Sequence, residues 1–209
     1  MAGSGIFIVD DEEQDIDSVL ETLVGIASRR MCVDYVSSSQ EIVSEMKEKS
    51  TRSMKSKDGS KIKYVPYSAL ITDFNMDGLN GKQLIQLVTG RLYGINKSIV
   101  KNVRNFNEVP DELVRQYLQD NFKNPAEYEF FRRKHEKLVI ILHSSHSYGD
   151  GVNDLPEDID FVHKSSNNAC EQIVDILHDK NVLTDRDLKI FKNEIEPQHD
   201  DYDINSLFL

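Results

Sequence analysis

Apolar and polar positions in this chain alternate between two periods. Short β-rich apolar runs at residues 6–9, 31–36, 69–72, 138–143 and 159–163 are separated by stretches whose apolar residues recur every three or four positions. Ile16, Val19, Leu20, Leu23 and Val24 form one such face; Ile42, Val43 and Met46 another, with Ser39 placed to cap it; Leu84, Ile85 and Val88 a third, after the turn DGLNG; and Ile173, Val174, Ile176 and Leu177 a fourth. Strands alternating with helical patterns predict an α/β fold with a parallel sheet and crossover helices. The unbroken apolar run 138–143 suits a central strand buried on both faces.

Two stretches interrupt the alternation. Residues 47–63 carry seven Lys/Arg against two Asp/Glu and predict a basic loop. Residues 91–137 carry helix signals of their own. Pro110 suits a first helical position, with Asp111 and Glu112 in the first turn and Leu113, Val114, Tyr117 and Leu118 as an apolar face. Asn124-Pro125-Ala126-Glu127 reads as a cap followed by a second helix with a basic end, so a helical hairpin is expected. In residues 181–209, Thr184 and Asp187 can cap a last helix through Leu188, Phe191 and Ile195, stopped by Pro197, with a loosely docked tail after it. Residues 1–180 are expected to form the main domain, and 181–209 an appended helix and tail.

Composition narrows the class. The 209 residues suffice for one sizeable core, and 39% hydrophobic with 29% charged residues is ordinary for a globular protein. No apolar run approaches the roughly 20 residues that span a bilayer, and the acidic pair near the N-terminus does not fit a signal peptide, so a cytoplasmic protein without membrane contact is expected. A net charge of -11 argues against a nucleic-acid partner. Cys32 and Cys170 lack metal-site spacing and are expected as reduced thiols.

The chemistry lies where the strands end. Asp10 and Asp11 follow the first run, Asp73 the third, Ser144 the fourth and Lys164 the fifth. In an open α/β sheet the carboxyl ends of the strands share one edge, which brings these residues into one cleft. Three carboxylates there repel one another and call for a cation. All-oxygen ligation with few protein groups suits Mg²⁺, which keeps positions open for phosphate oxygens. Lys164 and Ser144 would then steady a phosphoryl group, with Asp73 as the nucleophile.

The segments IVDDEEQD, ITDFNMDGLNG, ILHSS and FVHKSS together resemble the receiver domain of two-component response regulators. The resemblance implies a doubly wound, flavodoxin-like five-stranded sheet of order 2-1-3-4-5, with a helical insertion between helix 3 and strand 4 and an extra C-terminal helix. It further implies phosphorylation of Asp73, Mg²⁺ held by Asp10, Asp11, Asp73 and the main-chain carbonyl of Asn75, phosphate recognition by Ser144 and Lys164, and Phe161 as a switch aromatic. The implied partners are a histidine kinase or histidine phosphotransfer protein and a downstream protein target, with a homodimer as one possible output. Asp77 and Ser165 stand where the family commonly has proline. The resemblance covers the core but neither insertion nor residues 181–209.

Other readings stay open. ITDFN also resembles the start of the haloacid-dehalogenase-like phosphatase motif, with Asn75 in place of its second acid. A receiver-fold scaffold binding a partner through its basic insertions is a further alternative. His143, His146 and His163 lie near the same edge but lack the spacing of a metal site. Both insertions follow helices and precede strands, which places them at the amino ends of the strands, as an extra lobe opposite the cleft. Lys55, Lys57, Lys61 and Lys63 would serve a partner there.

Overall fold

A computed structural model describes residues 4–26, 31–49, 53–55, 61–63, 67–93, 99–145 and 156–193. Five strands form one parallel sheet: β1 (Ser4–Val9), β2 (Met31–Val36), β5 (Tyr67–Thr72), β8 (Val139–Ser144) and β9 (Ile159–His163), in the order β2-β1-β5-β8-β9. The gaps in that numbering are two short antiparallel hairpins outside the sheet. The first, β3 (Ser53–Lys55) with β4 (Lys61–Lys63), lies in the stretch expected to be a basic loop. The second, β6 (Arg91–Tyr93) with β7 (Ile99–Asn102), opens the stretch expected to be purely helical. Lys57, His146, Ile195 and Pro197 lie outside the described residues. Among the described residues no helix is long and apolar enough to cross a membrane.

Helices cover both faces because each strand buries side chains in both directions. Ile6 and Ile8 point to one face with α1 (Glu13–Ile26), α6 (Ala169–Asp179) and α7 (Asp185–Phe191), where Leu23, Ile173, Val174 and Leu177 complete an apolar cluster. Phe7, Val9, Leu70, Ile140 and Leu142 point to the other, against α2 (Ile42–Lys49) and α3 (Gly81–Thr89). All of these are essentially buried, and each full burial stabilises by about 1.5–3 kcal/mol before entropic costs.

The 91–137 segment does not stand off as a separate lobe. Val114 and Leu118 of α4 (Glu112–Asn121), and Tyr128 and Phe131 of α5 (Pro125–His135), belong to the same cluster as Leu84 and Ile85. Arg91 anchors its entrance. The buried guanidinium donates to Asp158 Oδ2 at 2.9 Å, to the Glu136 carbonyl at 2.6 Å and to the Leu138 carbonyl at 3.3 Å, fastening β6 beside the starts of β8 and β9.

The caps show how local chemistry sets direction. Asn124 caps α5 by accepting from Glu127 N–H at 3.0 Å, with Pro125 in the first turn as expected. Thr184 and Asp187 form the expected capping box of α7. Asp111 is itself the cap of α4, its carboxylate accepting from Val114 N–H at 3.1 Å, so the first helical residue is Glu112, two positions later than the Pro110 expected there. Its other oxygen accepts from Gln83 Nε2 at 3.0 Å, and Gln83 belongs to the capping box of Asn80 at the start of α3. The insertion therefore leaves at the amino edge of the sheet but climbs back, so that α4 begins beside the first turn of α3 at the carboxyl edge. The expectation that it would stay at the far end is corrected by this clasp.

Candidate functional site

Backbone register builds the site. Val9 is level with Thr72, Thr72 with Leu142, and Ser144 with His163, so the three ladders run out together. Each ladder extends into the residues that matter. Asp73 N–H donates to the Val9 carbonyl at 3.0 Å, Lys164 N–H to the Ser144 carbonyl at 3.0 Å, and Asp10 N–H more loosely to the Val36 carbonyl at 3.4 Å. Side chains far apart in the chain are thereby fixed by main-chain bonds.

Asp10, Asp11 and Asp73 each offer a carboxylate oxygen within 4.8 Å of the others. Asp10 and Asp73 are buried, and Asp11 is exposed. Lys164 reaches in from the end of β9, with Nζ 2.9 Å from Asp10 Oδ2, 2.7 Å from Asp15 Oδ2 and 3.8 Å from Asp73 Oδ1. Glu12 Oε2 stands 3.8 Å away on the exposed side. One ammonium thus faces four carboxylates, with Asp11 beside them, a balance that leaves room for further positive charge. Asp73 Oδ2 accepts from Asn75 N–H at 3.2 Å, whereas buried Asp73 Oδ1 has no hydrogen-bond partner among the described residues. An all-oxygen donor set with one uncommitted buried carboxylate oxygen fits a hard divalent cation. The cluster could hold a metal ion.

The electrostatics follow from depth. Burial pushes the Asp10 carboxyl up to about 6, against the pull of its hydrogen bond to Lys164. Burial also opposes the Lys164 charge, but Asp15 and Asp10 outweigh it and hold the ammonium above the ordinary lysine range. Asp15 is opposed by burial too, yet Lys164 and Glu12 keep its carboxyl below the usual value.

Asp15 was not among the residues singled out from the sequence. Its signal is its place in the acidic first turn of α1, which directs a carboxylate back over the strand ends. Ser39 was assigned to the wrong task. Instead of capping α2, its hydroxyl donates to the Asp77 carbonyl at 2.9 Å and accepts from Leu79 N–H at 3.0 Å, pinning the loop that follows Asp73. Asp77 and Ser165, the two positions where the receiver resemblance led proline to be expected, both use an N–H that proline lacks. Asp77 N–H donates to Asp11 Oδ2 at 3.3 Å, and Ser165 N–H to His163 Nδ1 at 3.2 Å. Gly81 lets α3 start against this loop, because a Cβ there would sit 2.5 Å from the Asp73 carbonyl oxygen.

Ser144 is fully buried at the end of β8, on the face that Leu142 shares. Phe161 is half-buried on β9, edge-on to His163 with ring centroids 6.2 Å apart. His143 points to the opposite face, and burial there pushes its imidazole down to about 4. It lines a cleft of about 360 Å³ with Asp15, Lys164 and Cys170. Among the described residues no histidine joins the acidic cluster.

No family model matches the chain, and no curated protein matches it.

Proposed function

We propose that this protein is a phosphoacceptor response regulator of a two-component or phosphorelay system, working in the cytoplasm. The observation that carries the reading is the meeting of Asp10, Asp11, Asp73 and Lys164, from the ends of three parallel strands, around one uncommitted oxygen of Asp73. The strand order supports it as well. Counted over the sheet's own members, β2-β1-β5-β8-β9 is the flavodoxin-like 2-1-3-4-5.

In this reading a histidine kinase or histidine phosphotransfer protein presents phosphohistidine at the carboxyl edge. An Asp73 carboxylate oxygen attacks phosphorus, the P–N bond breaks, and the imidazole leaves with a proton, so that an acyl phosphate forms. Asn75 N–H holds the other Asp73 oxygen and orients the attack. Asp10, Asp11, Asp73 and the Asn75 carbonyl would hold Mg²⁺, which when bound offsets the carboxylates and the phosphoryl charge. Lys164 pairs with a phosphoryl oxygen and Ser144 donates its hydroxyl to another. Withdrawal of Ser144 toward the phosphate frees space for Phe161 to turn inward, which shifts the β8–β9 surface between two populated states. A downstream protein or a second copy of the chain reads that surface.

One observation favours a second reading, a non-phosphorylated scaffold. Lys164 lies closer to Asp15 and Asp10 than to Asp73, so its charge is already committed. Phosphoramidate with Mg²⁺ decides between the readings. A regulator gains one hydroxylamine-sensitive acyl phosphate that Asp73→Asn abolishes. A phosphatase turns substrate over, and a scaffold does neither; either result overturns the proposal.

A further inference from the structure

The cleft of about 360 Å³ beside the acidic cluster is lined by Asp15 of α1, His143 of β8, the start of α6 and Phe191 of α7. Two groups in it have hydrogen bonds to make. The first is the start of α6. Asn168 holds the cap position but makes no capping bond, because its Oδ1 accepts instead from Ser166 Oγ at 2.6 Å and from Gln172 Nε2 at 2.7 Å. The N–H groups of Cys170 and Glu171 are left without an acceptor among the described residues. First-turn donors project out of a helix start, here toward Ser166, Asn167 and Asn168, which line the same cleft.

The second group is His143. The residue is only 5% exposed, and its ring makes no hydrogen bond among the described residues. Neither ring nitrogen is sealed from solvent, and the cleft is what the ring lines. With its pKa pushed down to about 4 by burial, the imidazole is neutral at pH 7 and offers one N–H and one bare nitrogen.

Charge and donor count narrow the ligand. Asp15 and Lys164 pair at 2.7 Å and cancel, which leaves the lining with the single negative charge of Glu171. An anion is repelled by that carboxylate, and a cation meets the positive end of the α6 dipole. A neutral group that accepts two hydrogen bonds at one atom and donates from another meets neither penalty. A primary carboxamide has that pattern, with two lone pairs on oxygen and two N–H donors on nitrogen.

We propose that this cleft binds a small neutral carboxamide carried on an aromatic ring. The carbonyl oxygen accepts from the Cys170 and Glu171 N–H groups, the amide nitrogen donates to His143, and the ring packs on Phe191. The site takes no ligand atom from the acidic cluster and stands whether or not Asp73 is phosphorylated.

Titration of the full chain with benzamide, followed by calorimetry and by backbone amide shifts in two-dimensional NMR, tests it. Benzoate and benzamidinium, of nearly the same shape, are the anionic and cationic controls. Benzamide is expected to saturate with a Kd below about 1 mM and to bind at least about tenfold more tightly than either control. The largest shifts should fall on Cys170 and Glu171, a readout on the unaltered chain. His143→Phe keeps a ring but removes both nitrogens, and should weaken binding about tenfold. The proposal is overturned if benzamide does not bind in that range, if either control binds as tightly, if the largest shifts lie away from the start of α6, or if folded His143→Phe binds with unchanged affinity.

Discussion

Gln83 donates its side-chain amide to Asp111, 28 residues away in the chain, at 3.0 Å, and this one bond joins the capping networks of two helices. Asp111 also caps α4 through Val114 N–H, so the two roles are separable by mutation. Asp111→Ala should cost about 1–2 kcal/mol and Gln83→Ala about 1 kcal/mol. A double-mutant cycle in urea should return a coupling of about 0.5–1 kcal/mol; strict additivity would mean the bond contributes nothing.

Lys164 is shared between Asp15 at 2.7 Å and Asp73 at 3.8 Å. Asp15→Asn weakens the nearer partner and should release the ammonium toward Asp73. Phosphorylation by phosphoramidate is then expected to speed up several-fold, at a stability cost of roughly 1–2 kcal/mol read from urea unfolding. A slower reaction with unchanged stability would show that Asp15 does not compete for Lys164.

Two glycines should respond in opposite directions. Gly90 has φ of +68° and lies against Arg132, so Gly90→Ala is both strained and overpacked and should lose more than about 2 kcal/mol. Gly25 lies in α1 with nothing within 4 Å of the position a Cβ would take. Gly25→Ala should gain about 0.5–1 kcal/mol, visible as a raised midpoint in thermal unfolding.

Stability should depend on pH through His135. Its ring is fully buried in α5, stacks on Tyr67 and donates Nδ1–H to the Phe131 carbonyl at 2.9 Å, and burial lowers its pKa to about 4. The folded pKa lies below the ordinary value of 6.5, so the unfolded chain takes up the proton first. The contribution is intact above about pH 6.5 and shrinks as pH falls to about 4, by on the order of 3 kcal/mol. Asp10 acts with the opposite sign, since its carboxyl is raised from 3.8 to about 6 and its contribution is greatest below 3.8 and lost as pH climbs through 6. Urea unfolding from pH 4 to 7 should show a shallower acid loss in His135→Phe than in the parent; parallel curves would remove His135 as the cause.

Much of the sheet was readable from the chain because its strands are short apolar runs with abrupt polar ends. Residues 31–36 and 159–163 were bounded as observed, and the others were off by one or two positions. The convergence of Asp10, Asp11, Asp73 and Lys164 was readable for the same reason, since parallel strands must finish along one edge. Ser39 was misjudged because a serine before a helix looks like a cap, whereas its real partners, Asp77 and Leu79, are about 40 positions away. The hairpins β3–β4 and β6–β7 carry too few apolar residues for a strand period to register. The return of α4 to the carboxyl edge could not be read at all, because it hangs on the side-chain bond between Gln83 and Asp111.

Gly81 and Gly90 put bare backbone at the two ends of α3, one against the Asp73 carbonyl and the other against the stem of Arg132. With no methyl group as cushion at either end, α3 is a strut of fixed length between two chemically unlike sites. A side chain added at Gly81 would have to push aside either the Asp73 loop or α3 itself.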